Sequence, residues 1–172
     1  MRLIINLFTL VIQCSVTFVL MLFIYLTFVL LDYQGGVDGI IGTTIFQPIL
    51  GGFISILTIV ICLIIGLPIR LGKTINLWWS RNYLISILGT MAGLTLLVIS
   101  FLPSFMETVK TVIENQETNK EIPNLILVST GWFLTAFSTL HIFPTEKIKS
   151  WIENMITKHT GFGRKNARQQ NA

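Results

Sequence analysis

Four stretches of this chain contain no Asp, Glu, Lys or Arg: Leu3 to Leu31, Ile49 to Ile69, Tyr83 to Leu102 and Leu125 to Phe143. Each runs for 19 to 29 residues. At about 1.5 Å of rise per residue, a helix of that length crosses a hydrocarbon layer of about 30 Å. Only 12% of the 172 residues are charged, where a soluble domain carries about 25%. The pattern excludes a soluble globular domain, a disordered chain and a nucleic-acid-binding module. It predicts an all-α polytopic membrane protein, a four-transmembrane-helix bundle over residues 1–143 with spans near 3–31, 49–69, 83–102 and 125–143.

The remaining charges sort by side. Four spans make the connections alternate across the membrane, so one side holds Arg2, Arg70, Lys73, Arg81 and the cations of 144–172, ten Lys and Arg in all. The other side holds Lys110 and Lys120. Cytoplasmic segments carry the excess of Lys and Arg, which places both termini in the cytoplasm. Six of the eight acids, Asp32, Asp38 and Glu107 among them, fall on the outer side. The formal charge of +4 therefore conceals a polarised molecule. The first apolar run is too long for a cleavable signal, whose apolar core is about 7 to 15 residues, and it is expected as a retained helix. A basic cytoplasmic side and a short amino-terminal flank suit a bacterial plasma membrane.

Helical spacing gives each span a distinct face. In the first, Asn6, Thr9, Gln13 and Thr17 form a polar stripe. Amides in hydrocarbon need partners, so the stripe should turn toward other helices as hydrogen-bonding glue. In the second, Gly51, Ser55, Thr58, Cys62 and Gly66 form a small-residue stripe that permits close backbone approach. The third carries Gly89 and Gly93 in a literal GxxxG, which serves self-association or packing within one chain equally well. The fourth offers Gly131, Thr135 and Ser138, with His141 one turn beyond.

The connections are readable too. The outer segment from Asp32 to Gln47 is glycine-rich yet carries several isoleucines, which predicts a loop lying at the interface. Between the second and third spans, Arg70, Lys73 and Arg81 accompany Trp78 and Trp79. Cations for anionic headgroups and indoles for the interface make these lipid anchors on the cytoplasmic face. Beyond Pro103, the spacing of Phe105, Val109, Val112 and Gln116 predicts a short amphipathic helix ending before Pro123. Residues 144–172 read as a cytoplasmic interfacial amphipathic helix, with Lys147, Lys149 and Trp151 as further anchors, followed by a basic disordered tail.

Chemistry is sparse. Cys14 and Cys62 are 48 positions apart and give neither a disulfide framework nor a metal site. Asp32 and Asp38 lack the further oxygen ligands a cation needs. His141 is the one side chain within the spans that titrates near neutrality, and its place two residues before Phe143 and three before Pro144 puts it near the cytoplasmic interface. No catalytic, cofactor-binding or metal-binding residues are expected, and no enzymatic activity. The expected function is a non-catalytic integral membrane protein, a subunit or scaffold that packs on other membrane proteins or on itself. The alternative is a small homo-oligomeric channel or holin-like permeation protein, with the Asn6–Thr17 stripe facing the lumen.

Overall fold

The computed structural model describes residues 2–31, 41–113 and 116–143, with side chains placed over 6–31, 41–110 and 119–143. Asp32, Asp38 and the amphipathic segment with Lys147, Lys149 and Trp151 lie outside the described residues. Residues 13–142 form one compact unit. Of a second unit, the described part is residues 2–12, where Asn6, Leu7, Phe8 and Val11 are exposed and Thr9 is half-buried, together with Phe143.

The chain is mostly helical. Helix α1 spans Arg2–Leu31. A π-helical turn, Gly42–Phe46, leads into α2, Gln47–Ile65. Two short helices follow, α3 (Leu67–Leu71) and α4 (Lys73–Arg81), and then α5, Tyr83–Ile99. A single 3-10 turn at Pro103–Phe105 precedes strands β1 (Met106–Ile113) and β2 (Gln116–Pro123). Helix α6, Leu125–Leu140, completes the described chain. Two continuous helical stretches, Asn6–Leu31 and Gly42–Ile65, are long and apolar enough to cross a membrane. A third counts if α4 and α5, bent by 71° at Asn82, are taken together. Helix α6 has 16 residues, about 24 Å at 1.5 Å per residue.

Three expectations change. The second apolar helix starts seven residues before Ile49, and it ends at Ile65. Pro48 has no N–H and its ring presses on the carbonyl four residues back. The wide turn before it, closed by Gln47 N–H donating to the Gly42 carbonyl, lets the helix pass the proline unbroken. At the other end, Gly66 and Pro68 close α2, because Pro68 cannot donate to the carbonyl of Ile64. The connection from Arg70 to Asn82, read from the sequence as a turn, is instead helical, lying in the short helices Leu67–Leu71 and Lys73–Arg81.

The outer segment after Pro103 is a β-hairpin, not an amphipathic helix. Its eight register pairs run from Met106 opposite Pro123 to Ile113 opposite Gln116. Thr108, Val109, Thr111, Val112 and Ile113 are β-branched, and their stiff Cβ favours the pleated strand over the helix. The apolar spacing that suggested a helix is thus overridden by local propensity.

Within 13–142 successive long helices reverse direction. The late part of α1 meets the start of α2, where Tyr25 donates its O–H to Gln47 Oε1 at 2.6 Å. Phe28 of α1 and Phe101 beyond α5 stack at 4.8 Å. Helix α2 is tied to α6 by the Trp132 indole, which donates to Thr58 Oγ1 at 3.0 Å. The core consists of Met21, Ile24, Ile59, Cys62, Leu97, Trp132, Ala136 and Leu140. Large apolar side chains face outward on every long helix: Phe23 is 69% exposed, Ile49 69%, Val98 68% and Ile126 72%. Buried Gly51, Ser55, Thr58, Cys62 and Gly66 face in. Large apolar groups thus lie outside and small or polar ones inside, on helices that include two to three candidate membrane spans.

Candidate functional site

The polar side chains of 13–142 converge on the last turn of α6. A helix ends with carbonyls that have no partner in the helix and with a partial negative charge. Helix α6 has no basic residue in its own last turn, and Pro144 bars its continuation. Three consecutive carbonyls, of Leu140, His141 and Ile142, are instead taken by side chains from four other segments.

Arg70 of α3 donates from one guanidinium nitrogen to the Leu140 carbonyl and to Gln13 Oε1, both at 2.9 Å. Gln13 of α1 passes its own N–H on to the Ile142 carbonyl at 2.7 Å. The His141 carbonyl accepts from Ser86 Oγ of α5 at 2.9 Å and from the Trp79 indole of α4 at 3.1 Å. The same indole reaches Ser86 Oγ at 2.9 Å. Hydrogen bonds to a charged donor contribute about 1.5–3 kcal/mol each, neutral ones about 1 kcal/mol. Burial pushes the Arg70 guanidinium below its ordinary value, and an arginine stays charged nonetheless. The result is a lock: a cation, an amide, an indole and a hydroxyl hold one helix end.

His141 sits inside it, fully buried. Its Nδ1 lies 2.7 Å from the Phe137 carbonyl, an acceptor, so Nδ1 carries a proton and donates. The Nε2 edge of the ring rests on Gly66, where any Cβ would collide with Nε2 and Cε1. The Phe137 ring stacks on the imidazole at 4.4 Å. Glycine at 66 is therefore required by space and not by backbone conformation.

The small-residue stripes meet their partners nearby. Gly89 lies against Ser138, and Gly93 against Thr135 and the backbone of Gly131. A Cβ on Gly131 would stand 2.8 Å from the Gly93 carbonyl. The GxxxG of α5 thus faces α6 of its own chain. Gly51 receives the ring of Tyr25. In the Asn6–Thr17 stripe, Gln13 and Thr17 are buried while Asn6 is exposed, so the stripe divides at Gln13.

Arg70 and Trp79, expected to face headgroups, give the donors described above inward. Lys73, Trp78 and Arg81 are exposed. Among the described residues, no three His, Cys, Asp or Glu come together as metal ligands. Two apolar grooves flank α1. One, of about 450 Å³, lies between Cys14, Phe18, Ile56 and Ile59; the other, of about 290 Å³, lies between Phe23, Phe28, Leu94 and Phe101.

No family model, curated protein or solved structure matches the chain. The chemistry of the site must carry its own reading. From the sequence Ser86 reads only as a small residue on the packing face of the third helix, and its role as a donor was missed together with the carbonyls of 140–142. The one available signal was a helix end without a cation of its own, followed by a proline.

Proposed function

We propose that the chain is a non-catalytic integral membrane protein of four spans, with both termini on the cytoplasmic side of a bacterial plasma membrane, serving as a subunit or scaffold of a membrane complex. The observation that carries this reading is the direction of its chemistry. The donors that meet at the end of α6 are used to fix α1, α3, α4 and α5 to α6, while the large apolar faces of α1, α2 and α5 point outward. A site that closes on backbone carbonyls holds a shape; it does not turn over a substrate.

The alternating helix directions support four spans, with α6 as a short fourth one. The lock then lies on the cytoplasmic side, where Arg70 and the cations beside it belong. Outward faces such as Phe53, Ile56, Val60 and Ile64 on α2 are the surfaces a neighbouring membrane protein would cover. Native mass spectrometry of the protein extracted from its own membrane in mild detergent tests the reading. A reproducible complex with a different protein is expected. A homo-oligomer without other proteins would displace the scaffold reading in favour of permeation.

A further inference from the structure

Helix α4 has two faces with different tasks. Its inner face is fixed: Asn76 donates to the Ile69 carbonyl at 3.1 Å, and Trp79 donates into the lock. The opposite face is open. Trp78 is 53% exposed and Ile75, one turn before it, 45%; Lys73 and Arg81 are exposed as well. At about 100° per residue, Ile75 and Trp78 fall on one flank of the outer face and Lys73 and Arg81 on the other. The 71° bend at Asn82 lays this helix across the axis of α5. If α5 crosses the bilayer, α4 lies near the membrane plane, the posture of an interfacial helix.

The charge along this part of the sequence has one sign. No Asp or Glu occurs between Asp38 and Glu107, so Lys73 and Arg81 stand in a stretch without any acid to answer them. We propose that the outer face of α4 is a docking surface for the anionic phospholipid headgroups of the cytoplasmic leaflet, with Ile75 and Trp78 entering the acyl boundary and Lys73 and Arg81 holding the headgroups. The proposal rests on the membrane-spanning reading above. The inner bonds of Asn76 and Trp79 make the surface rigid, so the cations are presented in place and need no ordering on contact.

The test is quenching of Trp78 fluorescence by lipids brominated on their acyl chains, taken as the difference between the wild-type chain and Trp78→Phe. The full chain is reconstituted in vesicles of phosphatidylcholine and phosphatidylglycerol in equal parts, with one or the other lipid brominated. Brominated phosphatidylglycerol is expected to quench with at least about a fivefold higher relative affinity, the effect of one cation at the surface. The preference should fall with added salt and vanish in the double variant Lys73→Gln, Arg81→Gln, while Lys73→Arg, Arg81→Lys keeps it. Equal quenching by both lipids overturns the proposal and leaves the spanning reading intact. A preference that survives the glutamine variant also overturns it, because another surface then selects the lipid. So does loss of a co-purifying acidic protein from that variant with its lipid preference unchanged. Absence of Trp78 quenching by either lipid also overturns the proposal, whereas absence of quenching of the remaining tryptophans, Trp132 of α6 among them, would overturn the membrane reading itself.

Discussion

Gly51 and Gly52 are neighbours in α2 with opposite surroundings. A Cβ on Gly51 would enter the Tyr25 ring, whereas at Gly52 the nearest atom is Phe18 Cζ at 3.9 Å. Gly52→Ala is therefore expected to be neutral or to stabilise by up to about 1 kcal/mol, since glycine inside a helix costs about that much. Gly66→Ala meets the His141 imidazole and should destabilise by about 1–3 kcal/mol, the usual cost of overpacking. Thermal unfolding of both variants in one detergent checks the pair, and a Gly66→Ala protein as stable as Gly52→Ala would contradict the packing described. Gln13→Leu removes a donor from the Ile142 carbonyl and an acceptor from Arg70. It should cost about 1–3 kcal/mol, the penalty for buried groups left without a partner. A Gln13→Leu protein with unchanged stability would argue that the amide serves something other than glue.

Elements differ in how plainly their sequence declares them. The long helices were legible because long runs without charge stand out, and the face of Gly51, Ser55, Cys62 and Gly66 was legible because small residues recur at helical spacing. The hairpin was not. Val109 and Val112 satisfy a helical spacing while Thr108, Thr111 and Ile113 favour a strand, and over a segment this short periodicity alone does not decide. The π-turn before Pro48 was hidden for another reason: proline at a helix start reads as a beginning, and only the Gln47 to Gly42 bond reveals the chain already coiled. Where the hairpin joins α6, Asn124 caps the helix by accepting from Leu127 N–H at 2.9 Å, and it donates to Glu107 Oε1 at 2.5 Å. Asn124→Ala should lose the cap, about 1 kcal/mol. Hydrogen exchange at the first turn of α6 should rise with little change in α2; uniform protection would contradict the capping role.

At the scale of the whole molecule, the lock explains why so little of the site was readable. Gln13 and Ile142 are 129 positions apart, and Arg70 and Gln13 are 57 apart. Its acceptors are backbone carbonyls, which every residue possesses and no motif records. What the sequence does carry is the means: a cation and an indole between the second and third apolar runs, an amide within the first and a hydroxyl within the third. Arg70→Met should free the Leu140 carbonyl and Gln13 Oε1 together. It is expected to lower stability by about 1.5–3 kcal/mol, more than Lys73→Met, whose side chain is exposed; equal effects in thermal unfolding would contradict the lock. The central claim is that α5 and α6 cross the membrane in opposite directions, with the lock on the cytoplasmic side. It is tested most directly by labelling single cysteines in intact cells with a membrane-impermeant maleimide, at Lys110→Cys in the hairpin and at Lys73→Cys in α4, beside a carboxyl-terminal cysteine. The account predicts that Lys110→Cys reacts in intact cells and that the other two react only after permeabilisation. Lys110→Cys and Lys73→Cys reacting from the same side, or the carboxyl terminus reacting from outside, would contradict it.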